Sequence, residues 1–548
     1  MQGMMMDRPL LISAILQHAV RSYGEVEVVS RDGDRPLFRY TYGAMARRVN
    51  RLANALRDAG VSAGTRVATL AWNDYRHLEA YYAVPGIGAV LHTCNPRLHP
   101  AQLAWMLNDA EDSVLLFDPA FLPLVEAIAP HCPHLRKYVV LDTALPERTT
   151  LANLLSYEQW IGEYNETFAW PEFDERQASG LCYTSGTTGN PKGVLYSHRS
   201  AVLHSLVLSN AQALGLSSAD TVLPVVPMFH VNAWGLPYAA PLNGCRLVLP
   251  GARLDGASLF DLIESEKVTF SAGVPTVWLS LAQHMEKHGV SPTTMRRTVL
   301  GGSAVPETMI RTFAEAFDVE VRQAWGMTET SPLGTIMARP AHDANACVES
   351  NAHVATSQGH AVFGVELAIA GPDGKRLPHD GQSQGELLIR GPWIASGYLN
   401  HEAKPLIDGW FATGDVATID ASGNMRITDR IKDVIKSGGE WISSIDLESA
   451  AMAHPEVALA AAIGVPHPKW AERPYLYVLR RPGSSLDATT LSAFLTTRIA
   501  KWWVPEGIEF VDELPLGATG KVQKQILRQR AHATGETDAD AAHAVARS

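Results

Sequence analysis

The sequence predicts an α/β fold: a large N-terminal domain of parallel sheets layered with helices plus a small β unit, followed by a small mobile α+β C-terminal domain. Its 548 residues are enough for several structural units. Helical and short apolar stretches alternate to about residue 330, which is typical of parallel sheets covered by helices. From about residue 359, short strands joined by Gly and Asp turns follow one another directly, which indicates the small β unit.

The first alternating region covers residues 8–170. Residues 45–60 place Val49, Leu52 and Leu56 on one helical face and end at a Gly. The N-terminus, MQGMMMDRPLLISAILQHAV, favours an amphipathic helix, although a secretory signal stays open as the weaker alternative. Short β-branched runs predict buried strands at 65–71, 113–118 and 137–142.

Strands of the second region end in polar or glycine-rich loops. They are predicted at 221–230, 245–251, 268–275, 296–306 and 319–330. Ligands of open α/β sheets bind at such strand ends, so we expect the site there. A charged crossing, 429–434, is predicted to link a large domain, 1–428, to a small domain, 435–530. The Ala-rich tail, 531–548, is predicted to be disordered.

Composition excludes several classes of function. The net charge is −11 and no basic run offsets it, so the electrostatic footprint of a nucleic-acid-binding protein is missing. No stretch approaches the roughly 18–20 apolar residues that a membrane span needs. Scattered cysteines without a C-x-x-C pair argue against a disulfide framework or a zinc site and favour a reducing cytoplasm. They are Cys94, Cys132, Cys182, Cys245 and Cys347.

The most unusual stretch is YTSGTTGNPKGV, residues 183–194. Its three glycines permit backbone angles that other residues avoid, and its hydroxyls and Lys192 are hydrogen-bond donors. Such a loop can wrap N–H groups around an anion. It is not a Walker A loop, because Pro191 stands where that pattern needs a Gly. Apolar flanks place it between two strands, and a plain surface turn is the alternative reading.

Five further motifs follow this Gly-rich stretch: VPMFHVNAW, QAWGMTET, GWFATGD, DRIKDVIKSGGEWIS and PLGATGKVQK. Together the six resemble the adenylate-forming family of acyl-CoA synthetases, peptide-synthetase adenylation domains and luciferases. The resemblance covers about residues 9–530. VPMFHVNAW and IKSGGEWISS look most like fatty-acyl-CoA synthetases, and the C-terminal motif looks like medium-chain and methylmercaptopropionate-CoA ligases.

The resemblance implies an ATP-dependent acyl-CoA synthetase for a medium- or long-chain fatty acid or a small thioether acid. The acid would attack the α-phosphorus of ATP and expel pyrophosphate, and the thiol of CoA would then displace AMP. ATP, Mg²⁺ and CoA are therefore expected. Donors of the Gly-rich loop would stabilise the departing pyrophosphate. The residues concerned are Thr184, Ser185, Gly186, Thr187, Thr188, Gly189 and Lys192.

The same resemblance assigns the nucleoside and the metal. Trp325 takes the aromatic position, more often Tyr, that stacks on adenine. Asp415 should accept the ribose hydroxyls, with Arg430 as a second contact, and Glu329 would bind Mg²⁺ together with Thr184. A core Trp and a solvated Glu are the structural alternatives. Further nucleotide contacts are expected at Gly302, Ala324, Gly326, Met327 and Thr328.

Lys521 and His230 complete the expected catalytic set with Thr184 and Glu329. Lys521 would lie between the α-phosphate and the substrate carboxylate, two anions that repel each other. Lys524, nearby, is expected to face solvent. His230 would lie beside the acyl carboxylate and later near the CoA thiol. Each residue taken alone would be an ordinary structural or surface side chain.

The resemblance also implies an acyl pocket and a moving domain. Trp234 would gate the pocket, and Gly301 and Gly302 would form a wall that leaves room for substrate, with Pro332 nearby; the sequence does not give the depth. Lys432 matches the pivot of the hinge, about which the C-terminal domain would swing after adenylation. The CoA tunnel would then involve Lys436, Ser437, Gly438, Gly439, Glu440 and Trp441.

Three other functions stay open at this point: a stand-alone adenylation module that loads a carrier protein, a luciferase-like oxidative enzyme, and a non-catalytic paralogue. A homodimer is suggested only by resemblance to fatty-acyl enzymes. Residues 340–362 are polar and match the family poorly, so their role is open.

Overall fold

The structure is a computed structural model that describes residues 1, 3–184, 190–337, 357–401, 406–437, 440–517 and 522–531. Within them, two mostly parallel sheets are followed by an antiparallel four-stranded sheet and a separate five-stranded sheet. The predicted fold class is therefore confirmed. The numerical domain boundaries stay predictions, and the predicted disordered tail lies outside the described residues apart from Ala531.

The first sheet carries the Gly-rich stretch at one edge. From edge to edge its strands are Leu154–Ser156 (β7), Lys137–Val140 (β6), Val114–Phe117 (β5), Arg66–Leu70 (β3), Val90–Thr93 (β4), Ala178–Thr184 (β8) and Lys192–Ser197 (β9). Neighbours are parallel except β8 and β9, which form an antiparallel pair. The Gly-rich stretch therefore links two strands, as predicted.

The second sheet carries the loops of the VPMFHVNAW and QAWGMTET motifs. Its strands, in spatial order, are His360–Ala361 (β16), Leu333–Ile336 (β15), Glu320–Gly326 (β14), Arg297–Leu300 (β13), Phe270–Gly273 (β12), Thr221–Pro224 (β10), Arg246–Leu249 (β11), Glu27–Ser30 (β1) and Phe38–Thr41 (β2). The run from β14 to β1 is parallel. The motif loops therefore leave the sheet at the same edge.

Two smaller sheets follow. The antiparallel sheet consists of Glu366–Ala370 (β17), Gly385–Arg390 (β18), Phe411–Ile419 (β19) and Met425–Arg430 (β20). The last sheet consists of Glu440–Ile442 (β22), Ile435–Ser437 (β21), Ala471–Arg480 (β24), Val457–His467 (β23) and Gly507–Val511 (β25). The former is the predicted small β unit, and the latter belongs to the predicted C-terminal α+β domain.

Helices cover both large sheets, so most strand residues are buried. Helix α2 buries Val49, Leu52 and Leu56, the face that the sequence predicted. No helix among the described residues has the length and apolar character that crossing a membrane requires. The helices are Ile12–Tyr23 (α1), Tyr42–Asp58 (α2), Tyr75–Gly86 (α3), Pro100–Asp109 (α4), Leu122–Ile128 (α5), Tyr157–Gly162 (α6), His198–Ser209 (α7), Leu236–Leu242 (α8), Gly256–Ser265 (α9), Pro275–His288 (α10), Glu307–Phe317 (α11), Ser444–Met452 (α12), Ala488–Thr496 (α13) and a last helix over 524–531.

Candidate active site

A cavity of about 1310 Å³ brings most of the predicted site residues together. Residues 522–526 and 528 contribute to its wall, whereas Lys436, Ser437 and Trp441 are not among its described lining residues. Several predicted site residues lie outside the part of the chain that the structure describes: Ser185 to Gly189, Gly438, Gly439, the side chain of Glu440, and Lys521. The predicted residues that line the cavity are Thr184, Lys192, His230, Trp234, Gly301, Gly302, Ala324, Trp325, Gly326, Met327, Thr328, Glu329, Pro332, Arg430 and Lys432.

The β8–β9 hairpin fixes both ends of the Gly-rich loop. Thr184, the last residue of β8, pairs with Lys192, the first residue of β9. Lys192 is exposed, and within the described residues it makes no salt bridge. Its Nζ lies 5.1 Å from the centre of the Tyr398 ring, a cation–π contact that leaves its charge uncompensated. This cation therefore faces the cavity ready for an anion.

Glu329 lies in a short 3₁₀ turn, Thr328–Thr330, just after β14. The Tyr398 hydroxyl donates a 2.6 Å hydrogen bond to its Oε1, and the Ala395 N–H donates to its backbone carbonyl at 2.8 Å. Burial and the neighbouring carboxylate raise the pKa of Tyr398, so this phenol keeps its proton. The Glu329 residue is 6% exposed, and Oε2 carries no hydrogen bond from any described protein group. A partly desolvated carboxylate with one unpaired oxygen suits a hard cation such as Mg²⁺.

The predicted ribose acceptor is held by two neighbours. The Trp325 indole N–H donates to Asp415 Oδ2 at 2.9 Å, and Arg430 Nε lies 3.1 Å from Oδ1. Strands β19 and β20 place Asp415 and Arg430 directly opposite each other. The Trp325 ring is largely buried and packs against Gly334. The indole thus orients a carboxylate, a role that the sequence did not predict; its stacking on adenine stays a prediction.

The acyl wall depends on a close backbone approach at Gly301. A Cβ built at Gly301 would lie 2.7 Å from the Ala324 carbonyl oxygen and 3.2 Å from the Trp234 ring. No larger residue fits there without moving the neighbouring strand end. Gly302 follows with φ +84°, in the left-handed region that favours glycine. Both glycines therefore form a wall, consistent with the predicted pocket.

His230 precedes an unusual left-handed turn. Four consecutive non-glycine residues, from Val231 to Trp234, have φ between 45° and 56°, and Gly235 follows at 79°. Such angles are costly for a β-branched residue like Val231. The half-buried Asn232 side chain accepts a hydrogen bond from the Tyr81 hydroxyl at 3.4 Å, which helps to hold the turn. The turn directs both the half-buried His230 and Trp234 to the cavity.

The expectation that Lys524 faces solvent is wrong. Its Nζ donates to Ser444 Oγ at 2.6 Å and pairs with Glu448 Oε1 at 2.7 Å, and its side chain is 14% exposed. Ser444 in turn donates from its N–H and Oγ to the buried Asp429. Desolvation raises the pKa of Asp429 to about 6. This network joins the segment that carries Lys521 to the hinge.

The predicted CoA hairpin, β21–β22, is present away from the cavity. Lys436 is exposed, and Trp441 is half-buried opposite it across the hairpin. Arg473 donates to Ser437 Oγ at 3.2 Å. The exposed Lys432, at the predicted pivot, lines the cavity, and its carbonyl accepts from Arg528 at 3.2 Å.

Sequence reasoning missed Tyr398. It lies in the segment SGYLN between β18 and β19, which is not part of any of the six motifs. The available signal was weak: an aromatic residue with a polar tip, placed among turn residues at a strand end. Only the fold brings Tyr398 to its two partners, since it is 69 residues from Glu329 and 206 residues from Lys192 in the sequence.

Comparisons with known proteins agree with this geometry. The model of the AMP-binding enzyme family matches residues 16–399, and that of the AMP-binding enzyme C-terminal domain matches residues 446–521. A solved anthranilate CoA ligase in complex with anthranoyl-AMP is 27% identical, with a TM-score of 0.87, covering 97% of this chain and 99% of that one.

Several relatives are far more similar in sequence. The 3-methylmercaptopropionyl-CoA ligase of Ruegeria pomeroyi is 49% identical over 534 residues, covering 97% of this chain and 99% of the relative. The medium-chain-fatty-acid–CoA ligase of Ectopseudomonas oleovorans is 47% identical, covering 97% of each chain. The long-chain-fatty-acid–CoA ligase of Thermus thermophilus is 48% identical, covering 96% of each. The chain belongs to the AMP-binding enzyme family.

Proposed function

We propose that this protein is an ATP-dependent acyl-CoA synthetase. It activates a medium- or long-chain fatty acid, or a small thioether acid, as an acyl-adenylate and then forms the CoA thioester. The observation that carries the proposal is that one cavity joins Lys192 and Glu329, neither of them ion-paired within the described residues, to an apolar wall and to the C-terminal segment. The names of the relatives, which are CoA ligases for these classes of acid, support it.

The phosphate side of the cavity has the groups that pyrophosphate release needs. Lys192 and the Thr184 hydroxyl, with the loop of Ser185 to Gly189 between them, would bind the β- and γ-phosphates. Glu329 would hold Mg²⁺ with Thr184, and the ion would offset negative charge on the phosphates. Donors already fixed in place stabilise the leaving group without reorganisation.

The nucleoside would lie against the end of β14. Asp415, held by Trp325 and Arg430, keeps a second lone pair on each oxygen and could accept both ribose hydroxyls. Trp325 would also offer part of its ring to adenine. The backbone around them would complete the nucleotide pocket, at Gly302, Ala324, Gly326, Met327 and Thr328.

The substrate carboxylate would lie beside His230, and its tail would enter the space between Trp234, Gly301 and Pro332. Lys521 would reach the α-phosphate and the carboxylate from the C-terminal domain. Each buried methylene contributes about 0.8 kcal/mol, so the depth of this space would set the preferred chain length. A small thioether acid would use its upper part alone.

The second half-reaction would need the C-terminal domain to rotate. The described lining includes residues 522–526, and the hairpin with Lys436, Ser437 and Trp441 lies elsewhere, an arrangement suited to adenylation. Rotation about Lys432, in the hinge 429–434, would bring the hairpin of domain 435–530 to domain 1–428. Gly438, Gly439 and Glu440 would then line the path of the CoA thiol.

Product analysis tests the proposal. The protein is incubated with ATP, Mg²⁺, CoA and one acid from a panel. The panel holds fatty acids from propionate to palmitate in length and also 3-methylmercaptopropionate. AMP, pyrophosphate and acyl-CoA are then measured. We expect equal amounts of AMP and acyl-CoA with at least one acid. Adenylate that CoA never discharges would instead favour a carrier-protein loading module, and oxygen uptake would favour a luciferase-like enzyme.

We also propose a cytoplasmic location and a homodimeric assembly. The described cysteines are free and buried, which is consistent with a reducing cytoplasm. The homodimer is suggested by the resemblance to fatty-acyl-CoA synthetases. It would give twice the mass of one chain in light scattering, and the mass of a monomer would contradict it.

A further inference from the structure

One segment outside the predicted motifs crosses the phosphate side of the cavity. We call residues 393–400 the strap; it lies between β18 and β19. Its Ala395 N–H donates to the Glu329 carbonyl at 2.8 Å, and its Leu399 N–H donates to the Gly193 carbonyl at 2.8 Å. One short segment is thus bonded to both the acidic turn and the Gly-rich hairpin.

Both ends of the strap are fixed. At one end, the Trp393 indole N–H donates to the Leu333 carbonyl at 3.0 Å, and Ser331 Oγ donates to the Trp393 carbonyl at 2.8 Å. At the other end, Asn400 Nδ2 donates to the Asp109 carbonyl at 2.7 Å. A side chain between two fixed ends can hold its neighbours in one geometry.

Tyr398 occupies that middle position and contacts two groups of opposite charge. Its hydroxyl donates to Glu329 Oε1 at 2.6 Å, and its ring faces the Lys192 Nζ at 5.1 Å. A direct salt bridge between Lys192 and Glu329 would neutralise both. The phenol instead orients each of them and leaves both charges available to a ligand.

We infer that Tyr398 is a positioning residue that holds Glu329 for a divalent cation and Lys192 for phosphate. The inference rests on the proposed ATP and Mg²⁺ site and names a residue that acts on it through others. Groups that hydrogen-bond a metal ligand fix its orientation, and their loss typically costs about 10- to 100-fold in metal affinity. The two parts of the side chain act separately, the hydroxyl on Glu329 and the ring on Lys192.

A purely structural role is the alternative. The Tyr398 ring also lies 6.4 Å from the Phe411 ring and packs against buried residues of the β8–β9 hairpin. A structural tyrosine would affect stability and every step equally. The test therefore needs a readout that stability alone does not change.

Tyr398→Phe removes the hydroxyl and keeps the ring. We expect the Mn²⁺ dissociation constant, measured by electron paramagnetic resonance with a non-hydrolysable ATP analogue, to rise about 10-fold. The Mg²⁺ concentration for half-maximal ATP–pyrophosphate exchange should rise equally, while CoA thiolysis of supplied acyl-adenylate stays unchanged. Tyr398→Leu, which also removes the ring, should in addition raise the KM for ATP at saturating Mg²⁺.

Tyr157→Phe is the matched control, because the Tyr157 hydroxyl donates to the buried Glu79 carboxylate at 2.5 Å. It should leave Mn²⁺ binding at the wild-type value. Unchanged Mn²⁺ binding in Tyr398→Phe, or an equal loss in Tyr157→Phe, would overturn the inference. Mn²⁺ binding does not depend on turnover, so absent ligase activity in the wild type would count against the proposed function alone.

Discussion

Two tyrosine–carboxylate pairs in this molecule have similar geometry and different surroundings. Tyr157 donates to Glu79 in the core, and Tyr398 donates to Glu329 at the cavity. Glu79 is fully buried and also accepts from Arg48 Nε at 2.7 Å. Among the described residues Glu329 has no such cation, since the nearby Lys192 contacts the ring of Tyr398 instead.

The difference separates a structural carboxylate from the proposed ligand site. In the core, Arg48 pairs with Glu79 and also with Glu158, whose carboxylate in turn binds Arg76, so each charge is compensated inside the protein. At the cavity, a carboxylate oxygen and an ammonium group have no charged protein partner among the described residues. Uncompensated charges near a cavity are the ones that a bound ligand can complete.

Neutralising Glu329 should lower catalysis, whereas neutralising Glu79 should lower stability. This contrast is the largest effect that we expect. Glu329→Gln should lower ATP–pyrophosphate exchange by about 100- to 1,000-fold, because a charge that acts on the phosphates is lost. Its thermal unfolding midpoint should not fall. Glu79→Gln leaves Arg48 partly unpaired in the core and should cost about 3 kcal/mol of stability, with the KM for ATP unchanged.

Exchange assays and thermal unfolding of the two variants check this contrast. Loss of exchange in both variants, or a destabilised Glu329→Gln protein, would mean that the two pairs do not differ as we describe.

Lys192 and Lys524 allow a second test of the difference between the cavity and the structural ion pairs. Lys192→Met should lower exchange by about 100-fold and leave stability unchanged, because within the described residues Lys192 has no carboxylate partner that the substitution would leave unpaired. Lys524→Met leaves Glu448 without its cation at a largely buried position and should destabilise the C-terminal domain by about 3 kcal/mol. Exchange rates and urea unfolding distinguish the two; a destabilised Lys192→Met protein would contradict the account.

The smallest effect concerns Trp325. Trp325→Phe keeps a ring but loses the indole hydrogen bond to Asp415, worth about 1–1.5 kcal/mol, so the KM for ATP should rise about 10-fold. The KM for the acid should not change. Trp278→Phe is the control, because its buried indole N–H has no acceptor among the described residues. An equal change of KM in both variants would show that ring size, not the hydrogen bond, matters.

The fold class and much of the lining of the cavity could be predicted because their signals in the sequence are local. The buried face of α2 and the hairpin around the Gly-rich loop follow from spacing within a few residues. Trp234, Gly301 and Glu329 follow three strands of one parallel sheet, which brings those strand ends together, so all three line the cavity. Their roles stay predictions.

The remaining features depend on contacts between distant segments. Tyr398 meets Lys192 and Glu329 only because the strap crosses two strand ends. Lys524 looks like a surface lysine in sequence, and its burial depends on Glu448 from α12. The left-handed turn after His230 could not be predicted either, since Val231 and Trp234 have no intrinsic preference for positive φ angles.

We propose that one cavity performs both half-reactions and that Lys521 of the C-terminal domain acts only in the first, the formation of the acyl-adenylate. The direct measurement compares Lys521→Ala with wild type in two assays: ATP–pyrophosphate exchange, and CoA thiolysis of supplied acyl-adenylate. We predict that exchange collapses and thiolysis is retained. Equal loss in both assays would contradict the account.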